Sequence, residues 1–425
     1  MLLEFRFENF RSFKESASLS MLPVNSYKER PENVHAVEVP GTGTGGVLTA
    51  AAIYGGNASG KTNLLRAVDF SRGLVIGAAH PAHLGRSQAF VGNDAPMRFA
   101  YTFTKGGTRY EYDFSIDQAG VLEEELRARP KSERLVYRRA RREDGTYEVT
   151  QGSRYTGIRT RLSGYADSGL VLGMLANYGI GPCADAIEWF ATDLSVLNRE
   201  SPMPDAMLLD RLAALGKEKF QRVIKAISSA DLGIVGVQLD VDDMSEDERA
   251  AQRESADKLA GVFEALTGQK VNGIQTPDKK VALQFRHVID GKGVGFGFDE
   301  ESLGTRTMLD LAVDLIDAID SGRTLFVDEV ERSLHPVLLE SLVSLFFDPE
   351  VNDKGAQLVF TTHDLSFLRS GLMRRDQIWF VGKDAQTGSS EVYPLSSFSP
   401  RKDESVMNRY LYGAYGAVPY VDRMA

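Results

Sequence analysis

Gly55 and Gly60 bracket four residues and run directly into Lys61 and Thr62. The stretch Gly55-Gly56-Asn57-Ala58-Ser59-Gly60-Lys61-Thr62 therefore matches G-x-x-x-x-G-K-[ST] in full. This pattern constrains the fold, because it works only as a turn between a buried strand and a helix N-terminus. The glycines let backbone N–H groups point inward and cradle phosphates, Lys61 reaches β/γ-phosphates, and the Thr62 hydroxyl holds Mg2+. The flanks meet the requirement. Val47 to Tyr54 is a short apolar run of buried-strand type, and Asn63 to Val68 reads as the opening of a helix. The alternative is an ordinary glycine turn before a helix.

The chain has 425 residues, enough for two or three domains and a large core. Hydrophobic residues make up 43% and charged residues 25%, the balance of a globular protein in water. No apolar run is long enough to span a bilayer, so no membrane partner is expected. Met1 to Arg6 is strand-like, carries early charges and lacks the apolar segment of a secretory signal. Cys183 stands alone, which excludes an intramolecular disulfide or a Cys-rich metal site, and a reducing cytoplasm is the expected compartment. The net charge of −10 argues against a globally basic nucleic-acid binder but allows a local basic surface.

The pattern along the chain is divided. Leu3, Phe5 and Phe7 alternate with charged residues, and Ser16 to Leu22 follows as a second strand. A polar loop from Pro23 to Gly46 leads to the P-loop strand. Residues 97–150 read as antiparallel strands separated by Lys105-Gly106-Gly107, by Asp117 to Gly120 and by Glu143-Asp144-Gly145. Residues 160–270 look mostly helical. Helices are predicted over Asp205–Ser229 and Ser245–Leu266, with a strand at Leu232–Asp240 between them. Strand-like sequence returns at Val281–Val288, and strand then alternates with helix to about residue 395. The expected organisation is an N-terminal P-loop lobe with an antiparallel β-subdomain over 1–160, a helical insertion over 161–280 and a C-terminal lobe over 281–425. The fold class is α/β.

Three features of the last lobe complete a nucleotide site. Thr324 to Val327 is an apolar strand that ends in Asp328 and Glu329. Asp328 suits Mg2+ held through its water shell, and Glu329 suits a general base for an attacking water. Asp-Glu after a strand is common in α/β proteins, and its weight comes from the P-loop beside it. Gln357 to Thr362 is the next buried strand, and His363 at its tip is placed to sense a γ-phosphate, or is structural. Ser302-Leu303-Gly304 opens a long helix over Leu309–Ile319, and a Ser and Gly there form either an anion site or a plain N-cap.

In this order, the P-loop, Ser-x-Gly, Asp-Glu, Leu334-His335-Pro336 and strand-end His363 resemble the ABC-type ATPase class that includes SMC proteins. More closely, the chain resembles bacterial AAA/ABC-hybrid ATPases of anti-phage and restriction-linked operons, the relatives of OLD proteins and RloA-type ATPases. The stretches that carry the resemblance are Phe7–Phe13, Tyr54–Asn63, Asp328–Pro336 and the tail Arg409–Pro419. The resemblance implies a head-to-tail homodimer in which each ATP lies between the P-loop of one copy and Ser302 and Gly304 of the other. ATP binding would close the dimer and hydrolysis would release it. It also implies that Asn9, Phe10 and Arg11 lie near the nucleotide base; simple strand packing is the other reading. The signature begins Glu301-Ser302 where transporters have Leu-Ser, which disfavours transport. No Q-loop glutamine stands out, and Gln88 is the nearest downstream candidate.

Residues 364–425 lack the Asp-x-Asp pair of the TOPRIM nuclease that OLD proteins append, so any nuclease or toxin effector is expected to be a separate protein. There is no Cys/His zinc spacing and no Gly-x-Ser-x-Gly elbow. Arg134, Arg138, Arg139, Arg141 and Arg142 form the dense basic cluster, read as a solvated hairpin rather than a phosphate-binding surface. Tyr410, Tyr412, Tyr415 and Tyr420 are expected to dock on the chain's own core. The expected function is Mg2+-dependent ATP hydrolysis by a nucleotide-gated dimer, acting as a sensor or scaffold in phage defence. The alternatives are an SMC-like DNA-binding ATPase in repair or chromosome maintenance, and an assembly module that binds ATP without turnover.

Overall fold

The structure is a computed structural model and describes residues 1–80, 88–165, 168–197, 203–228, 233–267, 279–369, 371–401 and 404–418. It divides into two compact units. The first comprises Met1–Glu200 with Asp317–Ala425, and the second Ser201–Ile316. The second unit thus differs in both boundaries from the insertion expected over 161–280.

The first unit holds two large sheets. In chain order its strands are β1 (Leu2–Glu8), β2 (Ala17–Ser20), β3 (Val34–Ala36), β4 (Gly46–Leu48), β5 (Ala50–Tyr54), β6 (Met97–Lys105), β7 (Thr108–Asp117), β8 (Gly120–Arg129), β9 (Arg134–Arg141), β10 (Tyr147–Gln151) and β11 (Leu194–Leu197). The helices among them are α1 (Lys61–Val75), α2 (Ile158–Leu162), α3 (Leu172–Asn177) and α4 (Gly181–Glu188). The antiparallel sheet runs β10-β9-β8-β7-β6-β1-β2. Its alternating pattern places Phe5, Phe7, Phe99, Tyr101, Phe103, Tyr110, Tyr112 and Phe114 on the buried face, where they pack with Trp189 and Phe190.

The second unit carries α5 (Asp205–Ala214), α6 (Lys217–Ser228), β12 (Ile234–Asp243), α7 (Glu246–Thr267), β13 (Lys279–Ile289), β14 (Lys292–Gly297) and the start of α8 (Leu303–Ser321). Its sheet runs β12-β13-β14. The helix expected over Asp205–Ser229 is two helices, parted at Leu215-Gly216. Leu232 lies outside the described residues, and the strand expected there begins at Ile234. Ser245 starts α7 as expected: its N–H donates to Glu248 Oε2 at 3.0 Å, and Glu248 N–H donates to Ser245 Oγ at 3.3 Å.

The remaining elements return to the first unit: β15 (Thr324–Val327), α9 (Pro336–Ser344), β16 (Gln357–Thr361), α10 (Ser366–Arg369), β17 (Ile378–Lys383), β18 (Ser390–Pro394) and α11 (Val406–Leu411). They build the central sheet β11-β15-β16-β5-β17-β18, in which every pair is parallel except β17–β18. β5, β15 and β16 are buried along their whole length, which explains their uninterrupted apolar sequences. The apolar run Val47–Tyr54 proves to be two strands. Thr49 interrupts it, turning its N–H to Asn33 O at 3.1 Å, so that Gly46–Leu48 pairs with β3 and only Ala50–Tyr54 enters the central sheet. Gln357 ties the two large sheets together. Its Oε1 accepts from Leu2 N–H at 2.6 Å and from Thr324 Oγ1 at 2.8 Å, and its Nε2 donates to Leu2 O at 2.9 Å and Leu48 O at 3.1 Å.

Candidate nucleotide site

Parallel strands place their C-terminal ends on one edge, and in open α/β sheets that edge is where ligands bind. β5 ends in the P-loop, β15 in Asp328 and Glu329, and β16 in Thr362 and His363, and the three strands lie side by side in the order β15-β16-β5. Residues far apart in sequence thus converge on one edge of the central sheet.

The P-loop has the backbone of a phosphate cradle. Ala58 (φ +58°) and Gly60 (φ +117°) both lie in the left-handed region, which turns successive amides to one side. A Cβ at Gly60 would lie 2.5 Å from Ser390 Oγ and 2.9 Å from Ser12 Oγ, and one at Gly55 would lie 2.5 Å from Val381 O. Both positions therefore require glycine for space, and Gly60 requires it for conformation as well. Ser12 and Ser390 brace the loop from outside. Ser390 Oγ donates to Ser59 O at 2.5 Å, Ser390 N–H donates to Ser12 O at 2.7 Å, and Asn63 Nδ2 donates to Ser12 Oγ at 2.9 Å. Gly60 caps α1 without a side-chain acceptor, which leaves the helix terminus open to an anion.

Lys61 is buried and forms no ion pair among the described residues. Its Nζ donates to Gly55 O at 2.9 Å and Gly56 O at 3.2 Å, both in its own loop. Burial lowers its pKa, and Asp328, Glu331 and Glu329 oppose that shift. A buried ammonium served only by carbonyls, beside a Ser59 hydroxyl with no partner, fits an incoming phosphate.

The strand-end carboxylates are held by a residue that sequence reading passed over. Thr361 Oγ1 donates to Asp328 Oδ1 at 2.6 Å and accepts from Glu329 N–H at 2.8 Å. Val330 N–H donates to Thr361 O at 3.2 Å. This clamp holds Glu329 at φ +47°, a left-handed conformation that a β-carbon disfavours by about 1–2 kcal/mol. Glu331, also passed over, accepts the His363 backbone N–H on Oε1 at 2.6 Å.

Partial loss of solvent lowers the His363 pKa. The Lys61 charge lowers it further, against Glu331, Glu329 and Asp328. The depressed pKa leaves the imidazole neutral at pH 7, and it protonates only as pH falls below the usual histidine value. Replacing Lys61 by Met is expected to move the pKa up towards that value, because a nearby positive charge is removed. Titration of the imidazole C–H resonances checks this, and a pKa that falls in the variant contradicts the placement.

Other predicted residues resolve in different ways. Ser302 Oγ accepts from Thr305 N–H at 3.1 Å, so Ser302 caps α8, and Ser302 and Leu303 are exposed. Asn9 and Phe10 are fully buried. Asn9 Nδ2 donates to Ala95 O at 2.5 Å and Phe10 packs on Phe70 and Phe99, so these two follow the packing reading. Gln88 accepts Arg11 Nε at 3.0 Å. Of the arginine cluster, Arg134, Arg138, Arg139 and Arg141 lie on β9 and Arg142 just beyond it, and carboxylates on β7, β8 and β10 answer Arg138, Arg139, Arg141 and Arg142. Arg138 pairs with Glu123 at 2.5 Å, Arg139 with Glu124 at 3.1 Å, Arg141 with Asp117, and Arg142 with Glu148 at 3.6 Å. Arg139 is in the core, so the cluster is not a free positive face. In the tail, Tyr410 and Tyr415 stack on Phe380 at 5.5 and 5.1 Å, and Tyr410 meets Tyr54 at 5.8 Å. Tyr412 is exposed, and Tyr420 lies outside the described residues.

A family model described as "AAA domain, putative AbiEii toxin, Type IV TA system" matches residues 50–172 and 188–369. The chain belongs to this AAA-domain family. The two matched segments contain the P-loop and both strand ends that face it. No curated protein matches the chain. Similar solved structures include the SMC head domain from Thermotoga maritima, at 13% identity and a TM-score of 0.41, covering 92% of this chain and 98% of that one. Another is an Smc head domain with an extended coiled coil bound to the C-terminal domain of ScpA, derived from Pyrococcus furiosus. It shows 13% identity and a TM-score of 0.36, covering 94% of this chain and 97% of that one. Among the described residues, no helix of this AAA-family chain is long and apolar enough to cross a membrane.

Proposed function

We propose that this AAA-family chain hydrolyses ATP with Mg2+ at sites shared between two copies, and that nucleotide-driven pairing gates a separate effector in phage defence. The observation that carries the reading is the convergence of Lys61, Asp328, Glu329 and His363 on adjacent parallel strand ends. The matched family's description, which names a putative AbiEii toxin and a Type IV TA system, supports a role in a toxin–antitoxin kind of system. The OLD-like and RloA-like kinship and the separate effector rest on the sequence resemblance.

Each residue has a task the geometry allows. Gly55, Gly56, Asn57, Ala58, Ser59 and Gly60 offer amides to the phosphates, and Lys61 exchanges its two loop carbonyls for phosphate oxygens. Thr62 and Asp328 would hold Mg2+. One hydroxyl and one carboxylate suit an ion that keeps several waters and takes the rest of its shell from phosphate. When bound, Mg2+ neutralises charge on the β- and γ-phosphate oxygens. Glu329 orients the attacking water and takes its proton as the new P–O bond forms, while the bond to the β-phosphate oxygen breaks and releases ADP and phosphate. Neutral His363 hydrogen-bonds the γ-phosphate or the water. Exposed Ser302 and the adjoining Gly304, at the start of α8, close the site from a second copy.

Complementation tests the shared site. Lys61→Met and Ser302→Arg are each expected to abolish turnover alone. Mixed dimers keep one intact site, so an equimolar mixture is expected to recover about a quarter of wild-type activity. A mixture as inactive as its components would overturn the shared-site reading.

A further inference from the structure

The residue two places beyond Glu329 has one oxygen in use and one without a partner. Glu331 Oε1 accepts the His363 backbone N–H at 2.6 Å, whereas Oε2 is buried and has no hydrogen-bond partner. A buried carboxylate oxygen left without a donor is costly, so it marks either strain or a place for a donor still to arrive. The surroundings favour the second. Glu331 acts electrostatically on Lys61 and on His363, alongside Asp328 and Glu329. It also acts on Tyr54, the last residue before the P-loop, whose hydroxyl donates to Asp364 O at 2.9 Å. Every other carboxylate of this group has an assigned task, and the site receives a donor, the attacking water, when hydrolysis begins.

We propose that Glu331 is a second working carboxylate of the site, with its two oxygens divided between two tasks. Oε1 fixes the backbone at His363 and so sets where the imidazole stands. Oε2 accepts a hydrogen bond from the attacking water, orienting it while Glu329 takes the proton. No bond to Glu331 is made or broken. This rests on the hydrolytic reading above and extends it, because water is then held by two carboxylates rather than one.

Two variants separate the tasks. Glu331→Gln keeps an acceptor for the His363 N–H but turns the other oxygen into a donor, whereas Glu331→Ala removes both. In Glu331→Gln, kcat is expected to fall about ten- to a hundredfold with little change in KM for ATP, the effect of losing one hydrogen bond to a charged acceptor. The His363 amide proton, shifted downfield by its carboxylate bond, should stay near its place in nucleotide-free Glu331→Gln and move upfield in Glu331→Ala. Wild-type kcat in Glu331→Gln would overturn the water-holding role. An unmoved amide in Glu331→Ala would overturn the positioning role. If the wild-type chain consumes no ATP, the hydrolytic reading fails and the water-holding role falls with it, while the amide shift still decides the positioning role.

Discussion

Glu329→Gln is expected to lower kcat for ATP by about 10²–10⁴-fold, the usual range for removing a positioned general base. Nucleotide binding should survive. The backbone bond that places the residue, Glu329 N–H to Thr361 Oγ1 at 2.8 Å, does not involve its side chain. The side chain is exposed at the strand end, so the amide fits without repacking. Loss of kcat with binding retained is the signature of an interaction used in the transition state alone. Phosphate release and equilibrium nucleotide binding, measured on the same preparation, check both halves. On the proposed pairing by nucleotide, the variant should also accumulate as an ATP-bound dimer, because hydrolysis is the step proposed to reopen the pair. Undiminished turnover would place the base elsewhere and leave Glu329 a structural residue in an unusual backbone conformation.

The largest expected effect on stability lies away from the nucleotide. Glu124 on β8 is completely buried and receives donors from several sides. Tyr112 and Tyr137 hydroxyls donate at 2.9 and 2.6 Å, Val171 N–H at 3.1 Å, Leu172 N–H at 3.2 Å and Arg139 Nη2 at 3.1 Å. Glu124→Ala takes the carboxylate from buried Arg139, which keeps the Gly169 carbonyl, and removes the acceptor that two phenols and two amides share. Breaking such a pair from one side costs about 3–5 kcal/mol. The expected result is a sharply lower unfolding midpoint in heat or urea, with reduced soluble yield. The double variant Glu124→Leu with Arg139→Met should recover only the part of the loss that comes from the charge without its carboxylate, since the phenols and amides that Glu124 accepted still lack it. A Glu124→Ala midpoint within experimental error of wild type would show that the network does not support the sheet.

The contrast between these residues shows what one sequence reveals. The P-loop, the Asp-Glu strand end and the His363 strand are legible because their chemistry is local: a short motif follows a continuous apolar run, and a strand buried on both faces has no other pattern to show. Thr361 is not legible. It is one more β-branched residue in a buried strand, and its clamp on Asp328 and Glu329 exists only through the neighbouring strand. Glu124 is hidden because it sits among Glu123 and Glu125, which read as a solvated run. The phase that turns it inward with Leu126 and Ala128 carries no mark of the phenols opposite. β11 is four residues long inside a helical stretch, too short for its periodicity to register. The arginine cluster was countable, but its carboxylate partners lie across the sheet. The break at Thr49 comes from a tertiary hydrogen bond to Asn33, not from any turn residue.

The strand order has a consequence for biosynthesis. The seven-stranded antiparallel sheet is assembled within residues 2–151, from neighbours that mostly follow one another in sequence. β5, by contrast, lies between β16 and β17, so both its edges wait for residues 357–383. At about 5–20 residues per second, synthesis of the intervening chain takes on the order of 15–60 s. For that interval the strand Ala50–Tyr54 has no partner on either side and exposes an apolar edge of the kind that templates aggregation. The antiparallel sheet can thus pair its strands early, whereas the central sheet, and the core that Phe326, Val359 and Trp379 complete, close only when the last quarter of the chain has been made.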